Sequence, residues 1–218
     1  MVYSRLVSPA EPSTAKGAAT RAHLLTVAAQ RFAENGYSST KFADLIAASG
    51  LTKGAFYFYF RSKAELARAV VDHQEKLWIE AVQTRVLAQS TPVLQLMEVI
   101  PAMLNHLQND PGAWSVIRLV RELAGEDTDF VKPVDAWIAL VANIIREGQD
   151  AEQIRTDIDP DALAAVLVGA FDGIKTLVDA GAADSRDRDL ARYTDILMML
   201  AASGLDIRPD RDIKPDRT

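Results

Sequence analysis

The stretch from Thr20 to Leu66 constrains this chain most, because its pattern packs three short amphipathic helices into fewer than fifty residues. Over Ala22–Phe32, apolar residues recur at Leu24, Leu25, Ala28 and Phe32, close to the 3.6-residue period of one buried face. Asn35-Gly36 should end that helix, since glycine tolerates the left-handed conformation a helix stop needs. Thr40 is placed to cap a second helix with Phe42, Leu45 and Ile46 inward, and Ser49-Gly50 to stop it. Thr52 should cap a third helix running from Lys53 towards Phe60, with Phe56 and Phe60 as core plugs. Ser62-Lys63-Ala64-Glu65 then reads as a capping box that opens a fourth, longer helix. Two short helices joined by a glycine-containing turn, the second exposing basic and hydroxyl groups, match the geometry that enters a DNA major groove.

Charge supports a duplex partner. Residues 1–63 hold eight Lys/Arg and three Asp/Glu, net +5, while the remainder holds 16 and 27, net −11, which gives −6 for the chain. A basic head on an acidic body suits a phosphate-binding module joined to a domain that avoids DNA. A basic segment lying on a membrane surface is the alternative, but these charges alternate with apolar positions and form no run. No stretch of eighteen uninterrupted apolar residues exists, the first nineteen residues lack the apolar core of a secretory signal, and cysteine is absent. A soluble cytoplasmic protein without membrane partner, disulfide framework or thiolate metal site is the expectation.

An enzyme is the rival class. The chain has only His23, His73 and His106, none with a partner at metal-ligand or triad spacing. Neither a glycine-rich phosphate loop nor a nucleophile elbow occurs. No catalytic residue, cofactor or metal is therefore expected.

The body reads as helical throughout, so the fold class is all-α with about nine helices. The fourth should span Lys63 to about Leu87, with Leu66, Val70, Leu77 and Val82 packed. Thr91-Pro92, Asp110-Pro111 and Asp159-Pro160 each place a capping side chain before a proline at the first helical position, predicting helices near 92–109, 111–124 and 160–179. Others should cover about 130–148, ended by Gly148, and 187–203, ended by Gly204. Pro101 should bend the helix that contains it. Residues 1–19, with Pro9, Pro12 and Gly17, read as a flexible arm, and 206–218 as a frayed tail.

The segments Gly36-Tyr37-Ser38-Ser39-Thr40, Gly50-Leu51-Thr52-Lys53-Gly54-Ala55-Phe56-Tyr57-Phe58-Tyr59-Phe60 and Ser62-Lys63 resemble the signature of tetracycline-repressor (TetR) family regulators. Within that family, the KGAFYFYF wording and Trp137 resemble the γ-butyrolactone autoregulator receptors of filamentous actinobacteria. The resemblance implies a transcriptional regulator, a repressor released from a palindromic DNA operator by a small hydrophobic effector. A DNA-binding regulator without a ligand is the alternative. It further implies a helix-turn-helix domain over 20–63 and a ligand-binding and dimerisation domain over 64–205.

By position, the resemblance places Thr40, Lys41, Thr52, Lys53, Gly54, Tyr57, Tyr59 and Lys63 against DNA. Thr52 and Lys53 would reach base edges, Gly54 would allow close approach, and both tyrosines, Lys63 and Thr40, the last through its hydroxyl or nearby backbone amides, would meet phosphates. Arg21 could reach a minor groove if the preceding tail orders on DNA. The helix at 160–179 is apolar nearly all round and needs cover on both sides. Leu163, Val166, Leu167, Ala170, Phe171 and Ile174, with Tyr193 and Leu197 of the last helix, are the expected homodimer interface. Trp78, Met103, Trp114, Phe130 and Trp137 are candidates to line an effector pocket, with plain core packing the alternative for each.

Overall fold

The computed structural model describes residues 14–123 and 134–205, and among these it is all-α. Nine α-helices follow in order: α1 Ala15–Ser39, α2 Phe42–Ala48, α3 Lys53–Tyr59, α4 Lys63–Leu87, α5 Pro92–Asn109, α6 Trp114–Leu123, α7 Val134–Asp150, α8 Pro160–Ala180 and α9 Arg186–Gly204. A 3₁₀ turn at Ala183–Ser185 precedes α9. The chain divides into two compact units. The first comprises the described residues up to Trp78 together with α6, and the second the end of α4, α5, α7, α8 and α9.

In the first unit, α6 lies along α1. The predicted apolar faces meet there: Leu24, Leu25, Ala28 and Phe32 of α1, Leu45 of α2, Phe56, Phe60, Leu66 and Val70 join Val116, Leu119 and Leu123 of α6 in one buried core. The i, i+4 spacing of Phe56 and Phe60 puts both rings on the inner side of α3. Ser62 caps α4 as expected, while Glu65 reaches back one residue further than a capping box requires. The Ser62 hydroxyl accepts from the Glu65 amide at 3.1 Å, and the Glu65 carboxylate accepts from Arg61 N–H at 2.7 Å.

Several boundaries differ from expectation. Helix α1 begins at Ala15, where the Thr14 hydroxyl accepts from Gly17 N–H at 3.1 Å, so residues 15–19 are helical rather than part of a flexible arm. Helix α6 begins at Trp114, because Asp110 spends its carboxylate on Gly112 N–H at 2.7 Å and makes a turn of the intervening residues. Helix α7 runs through Gly148 to Asp150. Gly148 serves packing there: a Cβ would lie 2.6 Å from Ile154 Cδ1. The chain reverses instead at Glu152, φ 59°, and the Gly148 carbonyl accepts from Gln153 N–H at 2.8 Å and Ile154 N–H at 3.0 Å. The expected start of that helix at 130 and the tail at 206–218 lie outside the described residues.

In the second unit α8 packs between α7 and α9. Asp159 caps α8 as expected, accepting from Ala162 N–H at 2.8 Å with Pro160 following. Arg186 meets the buried Asp179 at 3.6 Å, which ties the start of α9 to the end of α8.

Because Phe60 is 0% exposed at the junction of α1, α3 and α4, Phe60→Ala should cost about 3–5 kcal/mol of unfolding free energy. Urea denaturation followed by circular dichroism should show a lower midpoint with an unchanged slope.

Candidate nucleic-acid interface

Helix α3 is two turns long, and its outward side is set by what its inward side buries. Thr52 caps it, the hydroxyl accepting from Ala55 N–H at 3.3 Å. With Phe56 and Phe60 inside, Thr52, Lys53, Gly54, Tyr57 and Phe58 remain on the solvent side. Tyr57 is 40% exposed, its ring edge-on to Phe42 of α2 at 5.5 Å. Lys53 Nζ stands 6.0 Å from the Tyr57 ring centroid. This surface offers an ammonium, a hydroxyl, a phenol and a glycine that admits close approach. Those are groups suited to base edges and phosphates.

Phe58 is not among the residues expected at this surface, yet it is 74% exposed. A helical signal existed: at 3.6 residues per turn, a position two along from Phe56 lies about 200° round the helix, on the opposite side from the plugs. Its ring stands edge-on to Tyr59 at 5.2 Å. Tyr59 itself is half-buried and packs on the core cluster, so its surface is smaller than expected. Lys41 is exposed at the N-cap position of α2 and makes no side-chain cap.

Thr40 and Lys63 make contacts inside the module that the sequence did not suggest. Thr40 is buried and does not cap α2; its hydroxyl donates to the Gly36 carbonyl at 2.6 Å, so it is not available to a phosphate. Lys63 Nζ donates to the carbonyls of Tyr37 at 2.9 Å and Thr40 at 3.0 Å, and sits 4.1 Å over the Tyr37 ring. The Thr40 hydroxyl and two of the three Lys63 N–H groups serve the turn between α1 and α2. That turn exists because Gly36 has φ +76°, which breaks the helical hydrogen-bond pattern and leaves carbonyls and amides needing other partners. Helix α6 supplies the rest. Arg118 donates to the Glu34 carbonyl at 2.9 Å, and Glu122 accepts from Ser38 N–H at 2.8 Å. A Cβ on Gly36 would run into the Glu122 carboxylate. Arg21 places its guanidinium 5.4 Å from the Phe60 ring centroid, and His23 Nε2 donates to the Ser49 carbonyl at 3.2 Å.

The expected effector residues divide between the units. Trp78 and Trp114 are buried in the first and Met103 and Trp137 in the second, while Phe130 lies outside the described residues. On α8 and α9, Val166, Leu177, Tyr193, Ile196, Met199 and Leu200 are exposed. Leu163, Leu167, Ala170, Ile174 and Leu197 are partly so. Phe171 is a correction: at 4% exposure it belongs to the core of its own unit, with the Lys175 ammonium 5.2 Å from its ring centroid. Among the described residues, no group of His, Asp or Glu could hold a metal ion, and no helix is long and apolar enough to cross a membrane.

Three helices with a buried aromatic wedge and an outward-facing third helix define a helix-turn-helix module of the DNA-binding regulator class. Residues 24–70 match the model of bacterial regulatory proteins of the tetR family. The A-factor receptor protein of Streptomyces griseus is 27% identical over 193 residues, covering 88% of this chain and 67% of that protein. An HTH-type transcriptional regulator in the lacX 3′ region of Lactococcus lactis subsp. lactis is 30% identical over 139 residues, 61% of this chain and 69% of the relative. A solved structure concerned with control of antibiotic production by bacterial hormones is 30% identical, with a TM-score of 0.78 over 86% of this chain and 97% of its own. The chain belongs to the TetR family, whose members are transcriptional regulators rather than enzymes.

Partial burial raises the Glu122 carboxyl pKa, but hydrogen bonds from the Ser38 backbone and hydroxyl and the Tyr37 amide, with the nearby Arg121 charge, outweigh it. The net shift is downward from the ordinary 4.5. A depressed folded-state pKa contributes stability that is present above the ordinary value and lost as pH falls through the folded one. Urea midpoints measured from about pH 6 down to about pH 3 should therefore fall less steeply for Glu122→Gln than for the wild type.

Proposed function

We propose that the protein is a homodimeric, ligand-responsive repressor that reads a palindromic operator with α3 of each protomer. The observation that carries this is the composition of the outer side of α3: Thr52, Lys53, Gly54, Tyr57 and Phe58 stand clear of a core that holds Phe56 and Phe60. Lys53 donates to guanine O6 or N7, and the Thr52 methyl and Phe58 ring meet thymine methyl groups. Tyr57, Lys41 and the hydroxyl of Tyr59 contact phosphates and set the register. Thr40 and Lys63 act behind this surface, as ties of the turn.

Two copies are needed because one module reads too few base pairs, and two-fold symmetry doubles the contacts on a palindrome. The partner surface is the apolar side of α8 and α9, where Leu177 is 69% exposed and Val166, Ile196 and Leu200 are exposed as well. Leu163, Leu167, Ala170, Ile174, Tyr193 and Leu197 flank it. Large apolar side chains exposed on two packed helices are candidates for an association site.

The effector is a small hydrophobic molecule, a class supported by the relative named as an A-factor receptor and by the neighbour concerned with bacterial hormones. It acts on DNA affinity only through its different affinity for the binding and released arrangements. Because the two half-sites lie about 34–36 Å apart, a change in reader spacing spoils both at once.

Two outcomes test the assignment. Lys53→Ala should weaken binding to a duplex selected by the wild type from a randomised pool by about tenfold or more and relax preference at one base pair per half-site; an unchanged Kd and consensus contradict it. Leu177→Glu combined with Val166→Glu should convert the dimer to a folded monomer in sedimentation equilibrium. A dimer that survives both charges places the interface elsewhere.

A further inference from the structure

We propose that α6 is a positioning clamp for the DNA reader: Arg118 and Glu122 grip the α1–α2 turn and thereby set the orientation of α2 and α3. The proposal rests on the DNA-reading assignment and adds the element that regulates it. Four residues apart on α6, Arg118 and Glu122 share one face. Arg118 donates to the Glu34 carbonyl at 2.9 Å on the near side of Gly36, and Glu122 accepts from Ser38 N–H at 2.8 Å on the far side. The cation thus meets a carbonyl at the end of the regular part of α1, and the anion meets the amides exposed by the break. Gly36 is favoured by its φ of +76°, and a Cβ there would displace the Glu122 carboxylate from its place.

The short connection from the clamped turn to α3 makes the clamp more than a local staple. Only Thr40 and Lys41 separate α1 from α2. Phe42, the first residue of α2, stands edge-on to Phe56 at 5.3 Å and to Tyr57 at 5.5 Å. A change at Ser38 therefore reaches the outer face of α3 through one turn and one aromatic contact. Displacing α6 would move the reader directly through these polar ties. Lys63 holds the same turn from α4 through the Tyr37 and Thr40 carbonyls, so the turn survives loss of the clamp but loses its fixed orientation.

The test uses the full chain, a duplex selected by the wild type from a randomised pool, and a scrambled duplex of equal length. Glu122→Ala should weaken binding to the selected duplex on the order of tenfold, with little change for the scrambled one, because phosphate attraction survives while register is lost. Glu122→Gln keeps an acceptor oxygen and should recover most of the loss; Arg118→Met should lower the same ratio. A merely structural role would lower the melting temperature and leave the selected-to-scrambled ratio unchanged at temperatures where every variant is folded. That result overturns the clamp. If Glu122→Ala does not fold, the ratio for Arg118→Met decides: a reduced ratio supports the clamp and an unchanged one overturns it. A wild type that enriches no sequence overturns the DNA-reading assignment and the clamp with it. Enrichment with unaltered variant ratios overturns the clamp alone.

Discussion

The burial of Phe56 and Phe60 against Phe32, Leu24 and Leu66 is the constraint on which the rest of the reader depends. A helix of seven residues is too short to hold itself together in water, so α3 exists because tertiary packing pins it. Once two rings four residues apart are inside, no freedom remains about which residues face out. The chemistry of the outer side is then set by Thr52, Lys53 and Gly54 before the plugs and Tyr57 and Phe58 between them. Packing, not propensity, turns KGAFYFYF into a presented surface.

Much of this was legible in the sequence because it is local. The cap at Thr52, the box around Ser62 and Glu65, the Asp159-Pro160 start and the period of α1 each need only neighbours a few residues away. Features that could not be read depend on distant partners. Thr40 has the right residue type for a cap, but its hydroxyl is captured by Gly36, and the reason for that turn lies partly in α6, some eighty residues on. Lys63 resembles a phosphate ligand by position, yet two carbonyls claim its ammonium. Gly148 looked like a helix stop because glycine often is one; only the approach of Ile154 reveals its packing role. Phe171 and Leu177 are equally apolar in sequence, and which of them faces inward is decided by where α7 and α9 lie.

The two units carry different kinds of information. The first is built around an aromatic core with polar ties at a single break in α1, and its outward face is specific. The second offers helix faces that are apolar but chemically generic: large side chains such as Met103 and Trp137 are buried, while Val166, Leu177 and Leu200 are not. Apolar burial reports where a surface is covered without naming the molecule that covers it. For that reason DNA reading is assigned from residue types, whereas the effector and the partner copy are assigned from exposure and from relatives.

The most direct test of the central claim, that two copies of α3 lie in successive major grooves, is hydroxyl-radical and guanine-methylation footprinting of the dimer on its selected duplex. Two symmetric patches of protection about one helical turn apart are expected, with guanine N7 methylation blocking binding in both half-sites. A single patch, or protection that leaves guanine N7 methylation without effect, would contradict it.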